Sequence, residues 1–152
     1  CPVMRLHGNR APYKAPLSST GGGRCASGAE NEIWSYGEEN YEIMKKYIEI
    51  RENMRPYTRR LMREASETGA PVMRPLFYEF PEDERAWEIQ DEFLYGDKVL
   101  VAPVTEYLQR EREVYLPAGA DWTEKNTGEK YRGGQTVLAK APLSVIPVFV
   151  RE

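Results

Sequence analysis

Glu111-Arg112-Glu113-Val114-Tyr115-Leu116-Pro117-Ala118-Gly119 decides how the second half of the chain is read. Arg112, Val114 and Leu116 recur at a period of two, so they share one side of an extended segment, and that side is the buried one. Pro117-Ala118-Gly119 then stops the strand as a turn. Similar strand-like runs cover residues 72–80, 98–104, 136–139 and 144–150. Pro81, Gly96, Thr127-Gly128, Gly133-Gly134 and Pro142 separate them. Several short strands with this punctuation predict an antiparallel β-sandwich. Residues 82–94, with Trp87, Phe93 and Leu94, read as a short helix between the first two strands.

Upstream of residue 70 the texture is different. The first eight residues look like the end of a buried strand running into a loop. Residues 9–37 carry Pro12, Pro16, Ser18, Ser19 and Gly21-Gly22-Gly23 but few apolar positions, which predicts a long loop. The three glycines lack the Lys-Ser/Thr of a phosphate loop. A helix follows Gly37. Its acidic first turn, Glu38-Glu39, suits the positive end of the helix dipole, and Tyr41, Met44, Tyr47, Ile48 and Met54 fall at helical spacing. Pro56 breaks or kinks the pattern. A second helical stretch puts Tyr57, Leu61, Met62 and Ala65 on one face, with Gly69 at its C-terminal cap and Pro71 beyond. The chain therefore divides into residues 1–69, one strand with a long loop and helices, and residues 70–152, a sandwich. The first part cannot bury both faces of its strand alone and needs partners outside this sequence.

Composition narrows the function. Of 152 residues, 41% are hydrophobic and 30% charged, as in a globular chain with a core. The net charge of -3 and the interleaving of Arg with Glu at 110–113 exclude a basic face for nucleic acid. No apolar run approaches the roughly 20 residues of a membrane span, so no membrane partner is expected. Cys1 and Cys25 make neither a disulfide framework nor a metal site. No metal or other cofactor is expected, and two thiols fit a cytoplasmic protein. The chain lacks an initiator Met, which reads as a cut from a longer protein.

Five stretches, in order along nearly the whole chain, resemble glycoside hydrolase family 31, the family of α-glucosidases and α-xylosidases. Val3-Met4-Arg5-Leu6-His7-Gly8 is similar to the eighth barrel strand, which ends in Arg-x-His. Pro71-Val72-Met73-Arg74-Pro75-Leu76-Phe77-Tyr78-Glu79-Phe80-Pro81 resembles the opening of the proximal C-terminal domain. Tyr95-Gly96-Asp97 with Leu100-Val101-Ala102-Pro103-Val104, then Val114-Tyr115-Leu116-Pro117 with Trp122, and finally Ala141-Pro142-Leu143 with Ile146 to Arg151, continue the match. The resemblance implies an α+β fragment: the last βα unit of a (β/α)8 TIM barrel, residues 1–69, followed by an antiparallel β-sandwich, residues 70–152.

It also implies hydrolysis of a terminal α-linked glucose or xylose from an oligosaccharide, with retention. Retention uses two carboxyl groups roughly 5–5.5 Å apart. In the family both are aspartates on the fourth and sixth barrel strands, which this sequence does not contain. No nucleophile or general acid is assigned, and the isolated chain is expected to be inactive. By its match, His7 would hydrogen-bond sugar hydroxyls at the C-terminal end of a barrel strand; the alternative is a histidine bonded within the barrel. Arg5, two residues earlier on the same side, would line the pocket or orient a carboxylate, or else form a structural ion pair. Glu30, Glu32, Glu38 and Glu39 read as loop and helix-start charges. Trp34 reads as helix packing, with sugar stacking as its alternative; Trp87 and Trp122 read as core or domain contacts. The expected partners are an α-linked oligosaccharide and the rest of the parent barrel, and a second copy of the chain as homo-oligomer is allowed. The competing reading is a non-catalytic carbohydrate-binding or structural sandwich module.

Overall fold

The computed structural model describes residues 32–152. Two compact units divide it, one reaching to Arg59 and the other running from Arg60 to Glu152.

In the first unit a 3-10 turn, Ile33–Tyr36, leads into helix α1, Glu38–Asn53. Gly37 joins them at φ +87°, a backbone angle that side-chain-bearing residues rarely adopt. Glu38 and Glu39 occupy the first turn, and Asn40 Nδ2 donates back to the Tyr36 carbonyl at 2.8 Å. Tyr41, Met44, Tyr47 and Ile48 are only half-buried, and α1 has no fully buried residue. Helix α2, Arg55–Thr68, begins directly after Met54. Pro56 falls in its first turn, where a missing N–H breaks no helical bond. Pro56 thus separates two helices, as the sequence suggests.

From Arg60 onward the chain belongs to the second unit. Leu61 is buried, but Met62 is 58% exposed. Adjacent helix positions point about 100° apart, so these two cannot share the buried face expected of them. Gly69, at φ +78°, donates its N–H to the Ala65 carbonyl at 3.0 Å and ends α2 as a C-terminal glycine does.

Eight strands follow: β1 Met73–Arg74, β2 Phe93–Tyr95, β3 Val99–Val101, β4 Glu111–Leu116, β5 Asp121–Glu124, β6 Lys130–Arg132, β7 Gln135–Lys140 and β8 Val148–Arg151. Six form a sheet of order β1-β2-β3-β8-β5-β6; β4 and β7 form a second sheet. Every pairing is antiparallel. Leu94, Leu100, Trp122 and Phe149 of the larger sheet meet Val114, Leu116 and Ala139 of the smaller one in a single core, closed at one end by Leu76, Phe80 and Ala86. The expected antiparallel sheets are present, with few helices beside them.

Several strand expectations change in detail. The run 72–80 is a strand only at Met73–Arg74. Pro75 then supplies no N–H to a ladder and opens a short helix, α3, Leu76–Glu79. Residues 82–94 are not a helix. Asp83 caps a 3-10 turn, Glu84–Trp87, by accepting the Arg85 N–H at 3.2 Å, and Phe93–Tyr95 becomes β2. Pro103 shortens the 98–104 run to β3, and Pro147 shortens 144–150 to β8. The segment 111–116 is a strand throughout, with Arg112, Val114 and Leu116 buried as the alternation requires. The β5–β6 hairpin is additional; its strands are short and rich in charge.

Candidate functional site

Three charged knots hold the second unit together, centred on Arg112, Arg74 and Asp83. Arg112 occupies a core-facing position of β4. Nη2 donates to Asp91 Oδ2 at 2.6 Å, and Nη1 donates to the carbonyls of Asp91, at 3.2 Å, and Pro103. Nε donates to the Glu113 carbonyl at 3.1 Å. Glu92, beside Asp91, is almost wholly buried. Its Oε1 accepts the Tyr115 backbone N–H at 2.8 Å and lies 3.6 Å from Arg112 Nη2, whereas its Oε2 is buried without a hydrogen-bond partner. Burial pushes the Glu92 carboxyl up to about 7, against the opposing pull of the Tyr115 N–H and of Arg112. This knot joins the approach to β2 in one sheet to β4 in the other.

The second knot is Arg74, in β1. Its guanidinium donates to Glu79 Oε1 at 2.5 Å, Glu64 Oε1 at 2.8 Å and the Pro71 carbonyl at 2.7 Å. Burial works against its charge, but the two carboxylates outweigh burial and raise its pKa. Arg151 Nη1 lies 3.7 Å from Glu79, so α2, β1, α3 and the end of β8 share one network. The third knot is Asp83. It accepts the Tyr115 hydroxyl at 2.8 and 2.9 Å and the Ala118 N–H at 2.8 Å. Burial, and then the bond to Asp83, push the Tyr115 hydroxyl up to about 12. Only Arg112 had a signal in sequence, through its place in the alternation. Its partners, and those of Arg74 and Tyr115, come from separate elements.

These carboxylates are engaged in structure and do not form an acid–base pair. Glu32 accepts the Ser35 hydroxyl at 3.2 Å, and Glu38 and Glu39 start α1, which suits the reading of them as loop and helix-start charges. Glu30, together with the predicted sugar-contacting residues Arg5 and His7, lies outside the described residues. Among the described residues no group of three or more His, Cys, Asp or Glu side chains could hold a metal ion. Also among them, no helix is long and apolar enough to cross a membrane. Of the three tryptophans, Trp122 is a core residue, wholly buried with its indole N–H donating to the Pro117 carbonyl at 3.2 Å. Trp34 and Trp87 are 68% and 57% exposed.

The Glycosyl hydrolase family 31 C-terminal domain matches residues 69–152. The chain belongs to glycoside hydrolase family 31. This family-31 chain is 44% identical over 129 residues to alpha-glucosidase 2 of Bacillus thermoamyloliquefaciens, covering 84% of the chain and 16% of that protein. It is 32% identical to an alpha-xylosidase of Saccharolobus solfataricus over 99% of the chain and 18% of the relative. A crystal structure of a GH31 alpha-xylosidase from a soil metagenome, complexed with xylose, superposes with a TM-score of 0.93 at 53% identity. That match covers 100% of the chain and 23% of the other. The family-31 chain thus spans less than a quarter of the length of each of these three proteins.

Proposed function

We propose that this chain supplies the C-terminal part of a retaining α-glycosidase that releases a terminal α-linked xylose or glucose from an oligosaccharide. On this reading residues 1–69 are the last strand, loop and helices of a (β/α)8 barrel, and the sandwich stands after it. His7 and Arg5 lie at the C-terminal end of that strand, where barrel active sites are built. His7 hydrogen-bonds a sugar hydroxyl, and Arg5 stands beside it. The attacking and proton-donating carboxyl groups belong to other strands of the same barrel. Cys1 and Cys25, without a disulfide framework, support a cytoplasmic location.

The single observation that carries the proposal is the superposition of the whole chain on the xylose-complexed alpha-xylosidase at 53% identity. That identity exceeds the 44% shared with alpha-glucosidase 2, which puts xylose ahead of glucose. The two sugars differ by one hydroxymethyl group, and a group of that size in a fitted pocket is worth about 1–3 kcal/mol. The test is the kinetics of the complete protein on an aryl α-xyloside and the matching α-glucoside. The expected kcat/KM is at least about tenfold higher for the xyloside. A reversed ratio would assign glucose. Hydrolysis of neither would overturn the glycosidase and leave a carbohydrate-binding or bracing sandwich.

A further inference from the structure

Trp87 is exposed, and its position is fixed nonetheless. Phe77 stacks under it with ring centroids 4.5 Å apart and planes 11° from parallel. Its Nε1–H donates to the Pro81 carbonyl at 3.0 Å. The polar edge is therefore satisfied and one face covered, while the indole as a whole stays 57% exposed. A flat apolar ring held this way loses little freedom on meeting a ligand.

Pro81 is also a wall of a groove of about 620 Å³, within the roughly 300–1,000 Å³ range of small-ligand sites. Glu82, Glu84, Arg85, Gly119 and Arg151 line it as well. Arg85 lies over the Tyr115 ring at 4.6 Å and Arg151 over the Phe80 ring at 4.8 Å, so both guanidinium groups rest on aromatic faces that the fold has already placed. The walls carry four acidic side chains, Glu79, Glu82, Asp83 and Glu84, against two arginines. That sign repels phosphates and other anions. Donors held on aromatic faces and acceptors beside them, next to an aromatic shelf, suit an uncharged ligand covered in hydroxyl groups.

We propose that the Pro81 groove and the Trp87 shelf bind a neutral oligosaccharide, one sugar ring lying on the indole and its hydroxyl groups meeting Glu82, Glu84 and Arg85. The choice of a sugar among neutral polyols rests on the glycosidase reading above. The complete protein, run in native gels containing soluble xyloglucan or amylopectin, should be retarded. Trp87→Ala should weaken that retardation at least about fivefold in apparent affinity. Trp87→Phe, which keeps the Phe77 stack with a smaller ring, should fall between, and it serves as the readout if Trp87→Ala does not fold. Unchanged retardation in both variants, or none in the wild type with either polysaccharide, would overturn the proposal. Assay of the same wild-type preparation on a small aryl α-glycoside separates the two readings. Hydrolysis without retardation removes the groove alone, and retardation without hydrolysis removes the glycosidase alone.

Discussion

Trp122 and Trp34 mark the difference between the two units. Trp122 is wholly buried between the sheets, with its one polar atom bonded to Pro117 and Phe80 tilted against it at 5.8 Å. Trp34 is 68% exposed in the turn before a helix that buries nothing completely. The sandwich closes its core with its own strands and ties the sheets through Arg112 and Glu92. In the helical unit the apolar stripe of α1, Tyr41, Met44, Tyr47 and Ile48, stays half-covered. A helix draws most of its stability from packing its apolar stripe, so the difference teaches that the sandwich completes a core from its own strands, whereas α1 buries none of its residues fully among the described residues.

The largest effect expected to sharpen this contrast is Trp122→Ala, which should cost about 3–5 kcal/mol in urea unfolding of the complete protein. Trp34→Ala should stay within about 0.5 kcal/mol of wild type unless the barrel covers it. A loss at Trp34 as large as at Trp122 would place its indole against a partner. Next is Arg112→Met. It strands Glu92 and Asp91 without their cation, and breaking such a buried pair costs about 3–5 kcal/mol. A loss below about 1 kcal/mol would reduce the knot to a surface bridge.

Glu92 gives a pH signature. Its folded-state pKa is raised, to about 7 from an ordinary 4.5, by burial. A raised carboxyl contributes stability that is complete below the ordinary value and disappears as pH climbs through 7. Between pH 5 and 8 the wild type should therefore lose on the order of 1–3 kcal/mol relative to Glu92→Gln. Parallel pH profiles for the two proteins would contradict the buried orphan oxygen. On the proposed barrel reading, His7→Ala should leave unfolding unchanged and lower kcat/KM at least about tenfold, roughly 1.4 kcal/mol. A lost midpoint with intact kinetics would make His7 a structural barrel residue.

The sequence was most legible where one local rule decided the outcome. Arg112, Val114 and Leu116 alternate and are buried, and β4 has the limits 111–116, although Tyr115 between them is buried too. Gly37 and Gly69 were read from helix-end chemistry, and both have positive φ. It was least legible where proline chemistry competed with apolar content. The run 72–80 looks extended throughout, yet Pro75 ends the ladder after two residues and starts a helix. Phe93-Leu94-Tyr95 was absorbed into an apparent helix because no turn signal separates it from Trp87; the capped turn at Asp83 and the pairing with Val99–Val101 decide otherwise. The β5–β6 hairpin announced itself only through its turn, Thr127-Gly128, since its strands are short and charged: β5 buries Trp122 beside a buried Glu124, and β6 buries nothing completely. Among the charged knots the pattern placed Arg112 inside but could not name Asp91 and Glu92, some twenty residues away, because ion pairing across elements leaves no local signature. Arg5 and His7 were singled out only through the family resemblance, and both lie outside the described residues.

The most direct test of the central claim, that this chain shapes an active site whose carboxyl groups lie elsewhere in the protein, is proton NMR of an aryl α-xyloside under two enzymes. The complete protein should release the α-anomer first, and residues 1–152 alone should release none. Turnover by the 152-residue chain alone, or the β-anomer first from the complete protein, would contradict the account.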